Sequence, residues 1–167
     1  MKLNKILRNF FIVFIGFLIT LNFMASPALA YYSPSDYSSA IPLGDHYGSF
    51  EVYANDGEGV AVYNPSLGYG EHGDYMFLAE GVWQGGPATP ECDSCGVPDW
   101  QHDYMTDPKY DPFSLIINCD NGLEYEDCWT PQISLTQDET CVLKMNDQPG
   151  TYYDNTGFLT VHYQRMN

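Results

Sequence analysis

The feature that most constrains the fold is a series of short runs of β-branched and aromatic residues, each bounded by Gly, Pro, Asn or Asp. Such runs are typical of β-strands, and after residue 30 no stretch has the period of an amphipathic helix. We therefore predict an all-β protein, a β-sandwich of two antiparallel sheets with about seven to eight short strands and long inserted loops. The predicted strands are Phe50 to Ala54, Gly59 to Tyr63, Tyr75 to Ala79, Phe113 to Asn118, Gln132 to Leu135, Thr140 to Met145 and Phe158 to Tyr163.

Residues 1–30 have the pattern of a secretory signal peptide. Three basic residues precede an apolar run from Phe10 to Met24, and Ala28-Leu29-Ala30 is a small-residue cleavage site. A retained membrane anchor is the alternative, but the polar sequence after the cleavage site favours removal. We expect the mature chain to begin at Tyr31, to be secreted or periplasmic, and not to associate with a membrane after cleavage.

After the predicted leader the chain is strongly acidic. The whole sequence has 22 Asp and Glu against six Lys and Arg. Three of the six basic residues lie in the leader, which has no acidic residue. Residues 31–167 therefore have three positive and 22 negative charges, a net charge of −19. This balance argues against nucleic acid as a partner and is compatible with binding cations. Residues 31–48, rich in Ser, Tyr and Pro, are expected to be a flexible or edge-strand lead-in to one domain, residues 49–167.

Five cysteines follow the leader, and export makes disulfides their default state, with one thiol left over. We expect Cys92–Cys95 and Cys119–Cys128 to be loop staples, although connectivity does not follow from spacing. The Cys-x-x-Cys spacing also occurs in redox and zinc pairs. The chain lacks both the βαβ pattern and the second close pair that those sites need. The fifth cysteine is Cys141.

The segment Asn146 to Gly157 has the composition of a cation-binding loop. Pro149-Gly150 suits the two corners of a tight turn, which should fold Asp147 and Thr151 back toward each other. Asp154-Asn155 follows within reach of the same space. Carboxylate, amide, hydroxyl and main-chain oxygens without sulfur or imidazole suit a hard cation such as Ca²⁺. An ordinary Asp, Asn and Gly turn is the alternative.

The same segment resembles, without gaps, the C-terminal calcium loop of the PA-IL-like bacterial lectins, which runs Asn-Asp-x-Pro-Gly-Thr-Tyr-x-Asn-Asn-Ser-Gly. Shorter matches occur in the family's order, at Val52 to Asn55, Tyr63 to Pro65, Gly73-Asp74 and Ala79 to Gly81. Residues 87–141 match poorly. Asp154 stands where the family has Asn, which adds a carboxylate and removes an NH₂ donor.

The resemblance implies a lectin-like β-sandwich, not an enzyme, that binds galactose or galactosides through hydroxyls coordinated to one Ca²⁺. The implied calcium ligands are the side chains of Asp147, Asp154 and Asn155 and the carbonyls of Thr151 and Gly85. The implied sugar contacts are Asp147, Gln148, Thr151, Asp154 and His102. A homo-oligomer is also implied, although the inserted segments could block its contacts. The alternative function is a structural or adhesive protein whose loop is stiffened by calcium and binds no sugar.

Three further features have both a functional and a simpler interpretation. Residues 87–112 are predicted to be a long loop, which is often a binding loop. Trp83 and Trp100 could offer an apolar face to a sugar, but core packing is the default for an aromatic residue. The acidic segment Asp120 to Asp127 lacks the full EF-hand spacing and is predicted to be a solvated turn rather than a second calcium loop. No carboxylate pair or nucleophile stands in a recognisable catalytic arrangement.

Overall fold

The computed structural model describes residues 39–44, 46–65, 72–100, 104–126, 128, 131–137 and 139–167. Within these residues the chain forms strands and one 3-10 helix, Tyr152–Asp154. The strands are β1 (Ile41–Pro42), β2 (Tyr47–Tyr53), β3 (Val60–Tyr63), β4 (His72–Gln84), β5 (Glu91–Cys92), β6 (Leu115–Cys119), β7 (Glu124–Glu126), β8 (Gln132–Thr136), β9 (Thr140–Met145) and β10 (Thr156–Arg165). The predicted signal peptide and residues 31–38 of the lead-in lie outside the described residues.

The strands form two five-stranded sheets, which confirms the predicted β-sandwich. One sheet has the order β1-β3-β9-β6-β7, and the other has β2-β10-β4-β5, with β8 also paired to β4. Every predicted run is a strand. Three strands of two or three residues, β1, β5 and β7, were not predicted, and β1 pairs parallel with β3 rather than antiparallel. Strand β5 interrupts the predicted loop of residues 87–112.

Alternation of buried and exposed side chains along the strands places the core between the two sheets. In β2, Phe50 and Val52 are buried while their neighbours Ser49, Glu51 and Tyr53 are not. Trp83 is 1% exposed, and its indole Nε1 donates a hydrogen bond to the Phe113 carbonyl at 2.8 Å. Trp83 is therefore a core residue, not a sugar platform.

The predicted disulfide pairs are wrong. The structure pairs Cys119 with Cys141 and Cys95 with Cys128, and leaves Cys92 free. Cys119 lies directly opposite Cys141 in the antiparallel register of β6 and β9, whereas its expected partner lies beyond β7. Nearness across the sheet, which spacing along the chain does not show, decides the Cys119–Cys141 pair. Cys95 and Cys128 both lie in turns outside the strands.

Strand β10 lies in the middle of its sheet and fixes the position of the preceding loop. It pairs antiparallel with β4 from Thr156 opposite Gln84 to Arg165 opposite Tyr75. On its other side it pairs with β2, with Phe158 opposite Tyr53. The loop between β9 and β10 is therefore held at one end of the sandwich, beside the end of β4.

Candidate functional site

The turn predicted around Pro149-Gly150 is present. The Thr151 main-chain N–H donates to the Gln148 carbonyl at 3.2 Å, and Gly150 has φ of 90°. A positive φ at the third turn position is the conformation that favours glycine. The Thr151 hydroxyl donates to Asp147 Oδ2 at 3.0 Å, so the two residues are folded back toward each other as predicted.

The Asp147 carboxylate is buried at the base of this loop and holds it together. The side chain is 4% exposed, and its Oδ1 accepts the Gln148 N–H at 2.7 Å. Its Oδ2 accepts the Thr151 hydroxyl and the Asn155 amide, the latter at 2.9 Å. An ionised carboxylate has about four lone-pair positions. Asp147 can therefore organise the loop and still bind a cation.

The Asn155 side chain contains the most informative atom of the loop. It is 4% exposed, and its Nδ2 donates to the Ala54 carbonyl at 3.0 Å and to Asp147 Oδ2, with Met145 Sδ at 3.3 Å. These acceptors fix the amide orientation, because a flipped amide would turn its oxygen toward them. Its Oδ1 is buried and has no hydrogen-bond partner among the described residues. A buried oxygen left in this way is costly and needs an explanation.

The Asp154 carboxylate lies at the exposed rim of the loop, against the end of β4. A Cβ built on Gly86 would lie 3.2 Å from Asp154 Oδ2, and Gly86 has φ of 109°. Because Thr156 is opposite Gln84, the residues before Thr156 face Gly85 and Gly86 across the ladder. The structure thus brings the segment that contains Gly85 to the loop. The sequence analysis did not identify Gly86 as part of this region, although the Gly85-Gly86 pair indicated a backbone conformation that favours glycine.

A second loop, which contains Thr106 and residues 107–111, is hydrogen-bonded to the residues of the site. The Thr106 N–H and hydroxyl donate to the Asp147 carbonyl at 3.0 and 2.7 Å. The buried Asn146 side chain accepts the Asp107 N–H at 2.9 Å and donates to three carbonyls of residues 107–111. Tyr152 donates to the Met145 carbonyl at 3.0 Å, and burial raises the pKa of its hydroxyl. No sequence signal marked Thr106, because these contacts join residues 41 positions apart.

The remaining predicted sugar contacts are placed only in part. Gln148 is exposed on the turn, and His102 lies outside the described residues. Trp100 is 39% exposed and packs edge-on against the Phe113 ring, with 6.2 Å between ring centroids. The same Phe113 ring lies so close to Gly85 that a side chain there would overlap it. The Phe113 ring therefore lies between Trp100 and the end of β4 and contacts both.

The donor set of the loop suits a hard cation. Among the described residues, no group of three or more His, Cys, Asp or Glu is placed to hold a metal. The loop instead combines carboxylate, amide and main-chain oxygens, which Ca²⁺ accepts and zinc sites rarely use. The unpartnered Asn155 Oδ1 is the amide atom that could coordinate such an ion, so the residues fit calcium.

The acidic segment after β6 turns at residues 120–123 and then continues into β7, so the predicted solvated turn is found only in its first part. Asp120 accepts a main-chain N–H of β9, Glu124 forms an ion pair with Lys109, and Glu126 accepts a main-chain N–H of the loop before β6. Asp127 lies outside the described residues. The carboxylates of this segment that the structure describes are thus used by the protein itself.

Comparison with known proteins finds similarity among solved structures. No protein-family model and no curated protein matches the chain. Among solved structures, the chain is similar to the EclA N-terminal domain, described as a PllA-like lectin, with a TM-score of 0.49 and 19% identity over 74% of this chain and 100% of that chain. Within the described part of the chain, no helix has the length and hydropathy needed to cross a membrane.

Proposed function

We propose that this chain is an exported lectin that binds galactose or a galactoside through a Ca²⁺ held by the loop between β9 and β10. The observation that carries the proposal is the buried Asn155 Oδ1, which has no hydrogen-bond partner among the described residues and lies in a loop of oxygen donors. The match of residues 146–157 to the lectin calcium loop supports it.

Five residues would hold the ion. The side chains of Asp147, Asp154 and Asn155 would supply oxygen ligands, and the two carboxylates would also supply negative charge. The carbonyls of Thr151 and Gly85 would complete the set of ligands that the protein provides. A bound Ca²⁺ accepts six to eight oxygens at about 2.3–2.6 Å and can take two vicinal hydroxyls of a sugar as its last ligands. That requirement selects for the stereochemistry of the hydroxyl pair.

The protein groups around the ion would orient the sugar. Asp147 and Asp154 can accept hydrogen bonds from the coordinated hydroxyls, and charge-assisted bonds of this kind are stronger than neutral ones. Gln148 is exposed beside the turn and can contact the sugar without binding the ion. Thr151 and His102 are the other proposed contacts.

Calorimetric titration of galactose tests this function. We expect a binding signal in calcium, none in excess EDTA, and none for mannose, whose hydroxyls differ in stereochemistry. Asp147→Ala should abolish calcium and galactose binding. It removes the negative charge that would neutralise the ion and the carboxylate that accepts the hydrogen bonds of the loop.

The matched control is Gln148→Ala, which keeps the main-chain hydrogen bonds of the turn. It should leave calcium binding unchanged and weaken galactose by about 1 kcal/mol, the contribution of one hydrogen bond. Equal galactose heats with and without calcium would refute the lectin function.

The burial of Asp147 favours one alternative. The three hydrogen bonds to this 4% exposed carboxylate already fix the loop without a sugar. A structural protein could use Ca²⁺ only to stiffen this loop. Calcium-dependent stability without any signal on a glycan array would establish that role instead.

A further inference from the structure

The outer face of the sheet that contains β4 and β10 has a row of exposed apolar side chains. Phe158 lies opposite Tyr53 on one side and opposite Val82 on the other. These three residues, the aromatic row, are 41%, 47% and 55% exposed. The Phe158 and Tyr53 rings have centroids 5.4 Å apart and planes 39° apart. Packing between strands explains the contact of the two rings but not the exposure of three adjoining apolar residues, which is typical of an interaction site.

Hydrogen-bond acceptors lie directly beside the aromatic row. Two positions further along the strands, the register places Glu51, Thr160 and Glu80 side by side. Both glutamates are exposed, and the Tyr53 hydroxyl donates a hydrogen bond to the Glu51 carboxylate. An apolar ring surface next to carboxylate acceptors suits a ligand that has a face of C–H groups and an edge of hydroxyl donors. A sugar ring has both.

The charge of this face favours an uncharged ligand over other partners. Glu51 and Glu80 are on the face itself, and the whole chain has a net charge of −16. Nucleic acids and anionic membrane surfaces are repelled by such a surface. A second copy of the chain would bring the same glutamates and the same net charge to the contact, and like charges at an interface oppose association. A neutral carbohydrate has no such penalty.

The aromatic row adjoins the loop between β9 and β10. Ala54, the residue after Tyr53, accepts the hydrogen bond from Asn155 Nδ2 at 3.0 Å. Phe158 is three residues after Asn155, which corresponds to about 10 Å of extended chain. On the same face, the pair of polar residues Thr156 and Gln84 lies between the loop and the row. A ligand that extends from the loop along β10 would therefore reach the aromatic row.

We infer that the protein binds a neutral oligosaccharide whose terminal galactose lies at the calcium loop and whose following sugar rings stack on the aromatic row. Tyr53 and Phe158 would contact the C–H faces of these rings, and Glu51 and Glu80 would accept hydrogen bonds from their hydroxyls. The inference rests on the proposed lectin function, and it makes the outer face of the sheet part of the binding site.

Calorimetric titration in calcium compares galactose with a panel of α-linked and β-linked galactose tetrasaccharides. We expect at least one tetrasaccharide to bind about threefold to tenfold more tightly than galactose, the range of one aromatic stacking contact. Phe158→Leu keeps an apolar side chain in the sheet but removes a flat ring, so it should reduce this gain. Adding Tyr53→Leu should abolish the gain, and the affinity for galactose itself shows whether the double variant is folded.

The matched control is Leu123→Ala, which removes a 43% exposed apolar side chain from the turn before β7, in the other sheet. It should keep the full gain of the tetrasaccharide. Equal affinity for galactose and every tetrasaccharide, or a gain that persists in the double variant, would overturn the inference while leaving the proposed function intact. Sedimentation showing self-association of the ligand-free protein that the double variant abolishes would also overturn it, in favour of a contact between copies. Absence of calcium-dependent galactose binding would refute the proposed function as well.

Discussion

At the scale of single residues, Asn155 connects three parts of the chain through one amide. Its Nδ2 donates to Ala54 after β2 and to Asp147 after β9, and the residue itself precedes β10. The amide nitrogen therefore fixes where the amide oxygen points. Asn118 Oδ1 on β6 is also buried without a partner among the described residues.

Substitutions at Asn155 test whether its oxygen binds calcium. Asn155→Ala should lower the free energy of unfolding by about 1–3 kcal/mol without calcium, because Ala54 and Asp147 lose their donor. It should also lose the rise in Tm that calcium gives the wild type. Asn155→Asp should be less stable than wild type in EDTA, since two carboxylates then face each other, yet gain more from calcium.

Thermal unfolding in EDTA and in calcium measures both effects, and Asn118→Asp is the matched control. That control should change the Tm without changing the calcium-induced rise. Equal calcium-induced rises in all the variants at position 155 and in the wild type would contradict a role for Asn155 in binding the ion.

Local residue chemistry explains which parts of the site the sequence predicts. The turn at Pro149-Gly150 follows from the φ preferences of two adjacent residues, so Asp147 and Thr151 could be brought together from sequence alone. The support from Thr106 could not, because it depends on how a distant loop packs. Which oxygen of the loop stays without a partner likewise depends on the folded surroundings of Asn155.

At the scale of elements, strand length separates what the sequence predicts from what it does not. Runs of four or more β-branched and aromatic residues each became a strand, because they carry their own propensity and their own buried face. Strands β1, β5 and β7 exist only where a neighbouring strand offers hydrogen-bond partners. The prediction for Cys119 is wrong for the same reason, since its pairing with Cys141 is set by the register between β6 and β9.

The cysteine arrangement gives a direct chemical prediction. Non-reducing peptide mapping should find Cys119–Cys141 and Cys95–Cys128, and not the pairs suggested by spacing. Burial and the neighbouring Asp93 carboxylate raise the pKa of the Cys92 thiol to about 11. Alkylation of native protein should therefore stay slow through about pH 9, where an ordinary cysteine is substantially ionised, and become fast on unfolding.

Two variants distinguish the effect of the Cys119–Cys141 disulfide from that of the free Cys92 thiol. Replacing Cys119 and Cys141 together by Ala should cost about 3 kcal/mol, as expected for a closed loop of this size. Cys92→Ser is the control and should leave both disulfides intact in the peptide map. Rapid alkylation of Cys92 in the native protein would contradict its partly buried position on β5, beside β4.

At the scale of the whole molecule, charge and disulfides suggest the same environment. Two disulfides are typical of proteins that fold in an oxidising compartment. A net charge of −16 keeps chains apart by repulsion. Both properties fit a protein that works outside the cytoplasm.

Export itself is tested at the N-terminus. The apolar run and the Ala28-Leu29-Ala30 site should direct cleavage, so protein recovered after export should begin at Tyr31 or within a few residues of it. Intact-mass analysis measures this directly, with chain from a cytoplasmic preparation as the uncleaved reference. Retention of Met1 in the exported protein would show that the leader is not removed.

Strand β10 lies between β2 and β4, yet among the described strands it is synthesised after all the others. The two strands on either side of it are made long before the strand that joins them, so each has an unpaired edge while the chain is still emerging. Unpaired edges invite contact with other chains. Arrival of β10 closes both edges and brings the loop before it into place against β4. A nascent chain thus completes this sheet and positions the loop before β10 together, once β10 has emerged.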